Sequence, residues 1–184
     1  MRALSRFAPL LAALVVPACG GDDGGDGSGG SERTQGGGAE KAEVVRRADR
    51  ICGTATRNAQ RTLNVLARGA GGIERINLNS TALGVMLQGD VLYVGRALSE
   101  HRKLDPPAEG RGDFQRFVDG EERILAALRD AEQRLARGPE ALGAVGPKLQ
   151  RAGVASSRAA GRYGLSKCPP VGSFVEFVSR RGGG

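Results

Sequence analysis

The chain has 184 residues, a formal net charge of +7, only 4% aromatic residues and no Trp. That length leaves room for about one domain, and a core so poor in aromatics must be built from Leu, Val, Ile and Ala, which suits packed helices better than a sheet sandwich. The positive charge does not read as nucleic-acid binding, because it is interleaved with acids, as in Glu121-Glu122-Arg123 and Arg129-Asp130, and no basic block alternates with aromatics.

The first segment reads as an export signal. Arg2 and Arg6 form a basic start, and Phe7 to Ala18 is an apolar stretch too short to span a bilayer. Val16-Pro17-Ala18-Cys19 resembles the bacterial lipobox. The resemblance implies cleavage before Cys19, a diacylglycerol on its sulfur, usually a third acyl chain on its new amine, and so an extracytoplasmic domain anchored to the cell membrane. Residues 1–18 are accordingly expected to be a lipoprotein signal peptide. Residues 19–39, beginning Gly-Gly-Asp-Asp-Gly-Gly after Cys19, cannot bury apolar surface and are expected to be a disordered tether. Two or three acyl chains anchor stably where one does not. Loss of Arg2 and Arg6 with the signal lowers the net charge to +5. A mild attraction to anionic lipid or cell-wall polymer remains open.

The helical domain is expected over residues 40–179. Over 40–68, Val44, Ala48, Cys52, Ala55, Ala59, Leu63 and Leu66 recur every three to four positions, with Arg46, Arg47, Arg50, Arg57 and Arg61 on the other faces. Gly69 to Gly72 ends this helix. Residues 73–79 are ambiguous between a helical turn and an irregular lead-in. A second helix is expected from Asn79 or Ser80 to Leu104, before Pro106-Pro107, with Leu83, Met86, Leu87, Val91, Val94, Ala97 and Leu98 on its apolar face. Gly84, Gly89 and Gly95 weaken it but allow a neighbour to come close.

Asp113 is a plausible N-cap for a third helix to Arg137. Gly138-Pro139 and Gly146-Pro147 then predict a short piece at 139–145 and a helix over 147–163, capped by Gly164. Beyond Cys168-Pro169-Pro170, Phe174, Val175, Phe177 and Val178 can still pack, and residues 180–184 should fray. Four amphipathic helices with short connections make an all-α, antiparallel four-helix bundle.

With Cys19 committed to lipid, Cys52 and Cys168 remain, and an even pair in an exported domain reads as a disulfide. Two free thiols are the alternative, and the spacing matches no zinc pattern. The bundle topology favours the bridge, because the end of the fourth helix returns to the level where the first begins. Ala48-Asp49-Arg50-Ile51-Cys52, Leu104 to Pro107, and Gly164-Leu165-Ser166-Lys167-Cys168 resemble the "A-x-x-I-C" opening, Leu-x-Pro-Pro link and "G-L-x-x-C" close of small exported helical proteins and lipoproteins of actinobacteria. The likeness covers residues 44–168. It implies the fold and the disulfide and no activity.

Catalytic patterns are not found. The one histidine, His101, falls before the prolines next to Glu100, Arg102 and Lys103, where an exposed imidazole would favour a helix C-terminus. There is no Cys-x-x-Cys-His, Glu-x-x-His, Gly-x-Ser-x-Gly, Ser-x-x-Lys, His-Glu-x-x-His or Walker pattern. Arg111-Gly112-Asp113 spells an adhesive tripeptide, but Asp113 already has a structural reading. No catalytic residue, cofactor or metal is therefore assigned. The expected function is a non-catalytic binding or interaction module at the cell envelope, whose partner is an envelope protein, an anionic polymer or a small ligand. A carrier of apolar ligands in the bundle interior is the first alternative, marked by a continuous dry pocket. An enzyme is the second, marked by a cleft joining His101 to a carboxylate and a hydroxyl.

Overall fold

Val44, Ala48, Cys52, Ala55, Ala59 and Leu63 form one buried stripe along helix α1, Gln35–Ala70, in the computed structural model, which describes residues 35–72, 75–76 and 80–168. The helix starts at Gln35, ahead of the expected boundary at residue 40. It ends where Gly71 and Gly72 take positive φ, and Gly72 donates back to the Ala67 carbonyl at 2.8 Å. Ile76 is buried in the connection, and the remaining residues of the ambiguous 73–79 stretch, apart from Arg75, lie outside the described residues.

Helix α2 spans Ser80–His101 and stops earlier than Leu104, which turns back to bond its N–H to the His101 carbonyl. Helix α3 spans Arg111–Leu135. Its first turn differs from the expected one. Gly110, not Asp113, precedes the helix with φ 86°, and Asp113 sits inside the first turn, where Arg116 and Arg162 donate to its carboxylate at 2.8 Å each. These guanidiniums hold the Asp113 carboxyl below its ordinary range, the Arg162 bond first. Pro139–Ala144 forms a 3-10 turn, and α4 follows over Gly146–Tyr163, so the expected break and restart are present.

The four helices form an all-α antiparallel bundle, and no strand occurs among the described residues. Helices pack in sequence order: α1 on α2, α2 on α3, α3 on α4, with little direct contact between α1 and α4. Gly84 and Gly95 face Leu135 and Leu125 of α3, and Gly89 faces Thr62 of α1, so the weak helix-formers of α2 lie where neighbours approach. None of these helices is long and apolar enough to cross a membrane. The expected tail after residue 168 and the segment before residue 35 lie outside the described residues.

Helices α3 and α4 approach closely at Gly120. A Cβ there would lie 2.6 Å from the Ser156 Cβ and 2.9 Å from its Cα. Backbone, not a flexible tip, is in the way. Gly120→Ala is therefore expected to destabilise the domain, the overpacking cost of about 1–3 kcal/mol outweighing the gain of up to about 1 kcal/mol in helix propensity. A lower midpoint in urea, with unchanged slope, checks this.

Candidate functional site

The end of α4 sets the geometry of the end of the bundle that carries the cysteines. Gly164, at φ 102°, closes a Schellman motif in which Leu165 donates to the Ala160 carbonyl at 2.9 Å and Gly164 to the Gly161 carbonyl at 3.1 Å. Leu165 is buried, and the chain turns toward α1. Asp49 receives it there. Its carboxylate accepts the Ser166 and Lys167 backbone N–H groups at 2.9 and 2.8 Å and the Ser166 hydroxyl at 2.6 Å. One helical turn along α1, Cys52 joins Cys168 in a disulfide with a Cα–Cα distance of 5.4 Å. The expected pair is thus bridged, and Asp49 positions the incoming strand of chain. Asp49→Ala leaves three donors, two backbone N–H groups and one hydroxyl, without their carboxylate acceptor. We expect a loss of about 1–2 kcal/mol in urea unfolding, since bonds to charged groups are worth about 1.5–3 kcal/mol and these are partly exposed.

His101 corrects the sequence reading. It is fully buried, not an exposed helix-end cation. Its Nδ1 lies 2.7 Å from Glu121 Oε2, and its Nε2 lies 3.4 Å from the Ala48 carbonyl and 3.7 Å from Cys52 Sγ. The Phe117 ring packs edge-on against it at 5.1 Å between centroids. The reason is positional. His101 continues the buried stripe Val94, Ala97, Leu98, and Glu121 sits on the stripe Phe117, Val118, Ile124, Leu125. The two helices deliver both polar groups to the same interior point, where each is the other's partner. Burial pushes the Glu121 carboxyl up, against the opposing pull of the His101 hydrogen bond, and its Oε1 has no hydrogen-bond partner among the described residues.

A second feature lies outside the core. Between α1 and α2 runs an open groove of about 710 Å³, lined by Arg47, Arg50 and Arg96, the carboxylates Glu43 and Glu100, the neutral polar Thr54, Asn58 and Tyr93, and the apolar Ile51, Ala55 and Ala97. Arg46 holds Glu43 at 2.6 Å and Lys103 holds Glu100 at 2.5 Å. Arg47, Arg50 and Arg96 form no salt bridge among the described residues, although Arg50 and Arg47 add to the lowering of the Glu43 carboxyl that Arg46 dominates. Tyr93 is tied to Thr62 by a 3.2 Å hydroxyl–hydroxyl bond.

The arginines of α1 were visible as one face in the sequence. The contribution of Arg96 and Tyr93 from α2 was not, because it depends on how the two helices pair. Arg111-Gly112-Asp113 begins α3, with the Asp113 carboxylate occupied by two arginines and Arg111 bonded to the Pro106 carbonyl. Comparison with known proteins returns no matching family model, no matching curated protein and no matching solved structure.

Proposed function

We propose that this chain is a non-catalytic binding module held at the outer face of the cell membrane by an acylated Cys19, and that it takes an anionic polymer of the envelope in the groove between α1 and α2. One observation carries the choice of ligand: Arg47, Arg50 and Arg96 converge on a groove whose own carboxylates, Glu43 and Glu100, are engaged by Arg46 and Lys103. Guanidiniums present planar forks suited to phosphate and carboxylate. Thr54, Asn58 and Tyr93 add neutral hydrogen-bonding groups beside them. The short apolar segment ending at Cys19 supports the anchor, and the Gly- and Asp-rich composition that follows it suits a spacer for a domain that must reach a polymer beyond the headgroups.

The test uses the mature acylated chain and a glycerol-phosphate polymer, with a neutral polysaccharide as the control ligand. Binding that weakens as salt rises is expected, since exposed charges are screened over about 10 Å at 0.1 M. Substituting Arg47, Arg50 and Arg96 together by Gln should weaken it at least about tenfold, that is about 1.4 kcal/mol. Gln replacement of Arg151 and Arg158 on α4 should leave it within about twofold of the parent. Equal losses from both sets would refute the groove. Cys19→Ser should move the protein from the membrane fraction to the soluble one, and unchanged retention would refute the anchor.

A further inference from the structure

Cys52, His101 and Cys168 lie far apart in sequence, yet the two Sγ atoms and a ring nitrogen of His101 all fall within 4.8 Å of one another. With Zn–S near 2.3 Å and Zn–N near 2.0–2.1 Å, neighbouring ligand atoms of a tetrahedral site stand about 3.3–3.8 Å apart. The Nε2 to Cys52 Sγ separation of 3.7 Å already meets that spacing. The two sulfurs, joined in the bridge, are too close. We propose that these three side chains form a redox-gated Zn²⁺ site, closed while the disulfide stands and available once it is reduced.

The surroundings suit such a site. Two thiolates and one imidazole are the donor types that zinc prefers, leaving the fourth position for water. In the zinc form His101 Nδ1–H would donate to Glu121 Oε2, the two atoms standing 2.7 Å apart, and Nε2, which lies 3.7 Å from Cys52 Sγ and 3.4 Å from the Ala48 carbonyl, would turn its lone pair to the metal. A carboxylate behind a metal-binding histidine fixes its tautomer and ring orientation. Cys52 and His101 are set by packed helices, whereas Cys168 follows α4 on non-helical backbone and is half-buried. Rotation of the Cys168 side chain parts the sulfurs without shifting a helix and opens a route for the ion.

The chemistry balances with a dithiol as reductant. Two electrons and two protons pass from the dithiol to the protein sulfurs, giving two thiols and an oxidised dithiol. Zn²⁺ then displaces the two thiol protons to solvent. The structural pairing of His101 with Glu121 needs no metal, so a direct metal readout separates the two roles.

The experiment reduces the mature chain with a phosphine, which supplies no competing thiol, and titrates it with Co²⁺ and then Zn²⁺. One equivalent of Co²⁺ should bind with a thiolate-to-cobalt charge-transfer band and the intense visible bands of a tetrahedral site, and one equivalent of Zn²⁺ should abolish both. The oxidised chain should show neither. Cys168→Ser should lose the charge-transfer intensity of one thiolate and bind at least about tenfold more weakly. Glu121→Gln should weaken binding about 10–100-fold, the usual effect of losing the group behind a ligand histidine. Reduced protein that gives no tetrahedral cobalt spectrum, or that binds no better than Cys168→Ser, overturns the proposal. So does reduced protein that loses its helical circular dichroism and does not regain it on addition of Zn²⁺. An unchanged affinity in Glu121→Gln overturns the positioning role of that carboxylate.

Discussion

Replacing His101 by Leu is expected to cost about 3–5 kcal/mol of stability, because it leaves Glu121 buried without its partner. Glu121→Leu should cost a similar amount by stranding the imidazole against Phe117 and the disulfide. The two losses should not add. In the double variant neither buried polar side chain is left to desolvate, and a buried polar pair exchanged for apolar residues is often tolerated. Urea unfolding of the four proteins in the cycle measures the coupling, which should be at least about 2 kcal/mol. Additive losses would show that the pair acts as two separate packing elements. A domain with a total stability of about 5–15 kcal/mol will register either single change as a large fall in midpoint.

Removal of the disulfide should have an effect of the same order. The bridge joins residues with a sequence separation of 116, and in the loop-entropy account a closure of that length is worth about 4–5 kcal/mol. The structure adds a local reason. Direct packing between α1 and α4 is slight, so the bridge and Asp49 supply much of what holds the first helix to the end of the fourth. A Cys52→Ala, Cys168→Ala variant is expected to unfold about 4–5 kcal/mol earlier than the parent in urea. Amide exchange should locate the loss, with protection falling first in α1 around residues 44–55 and persisting longest across the α3–α4 pair. A change below about 1 kcal/mol would mean that the helix interfaces alone close the bundle.

Much of this architecture is written as periodicity. The stripe from Val44 to Leu63, the Pro-Pro stop after α2 and the Gly138-Pro139 and Gly146-Pro147 punctuation define the helices to within a few residues. The disulfide was read from an even pair of cysteines in an exported domain, and the topology fits it, since an antiparallel bundle returns its fourth helix to the start of the first. The interior dyad did not, although its signal was present. His101 and Glu121 each occupy a core position in an apolar stripe, and one is basic and the other acidic. Reading both stripes together would have paired them; reading the end of α2 alone made His101 a surface residue beside charged neighbours. Asp113 failed for a different reason. A residue two places into a helix can satisfy side chains from other elements as well as a backbone N–H, and only the position of Arg162 on α4 decides between them.

The covalent bridge also has a mechanical meaning. Residues 52–168 form a closed ring, and the chain enters and leaves that ring at two residues whose sulfurs are bonded to one another. Tension applied between the two ends of the polypeptide runs along the first part of α1 to Cys52, crosses the sulfurs and continues from Cys168. It bypasses the rest of α1 and the whole of α2, α3 and α4, whose packing with one another feels no pull. An oxidised molecule stretched by its ends would lengthen only outside the ring, whereas a reduced one would expose all four helices to the same load.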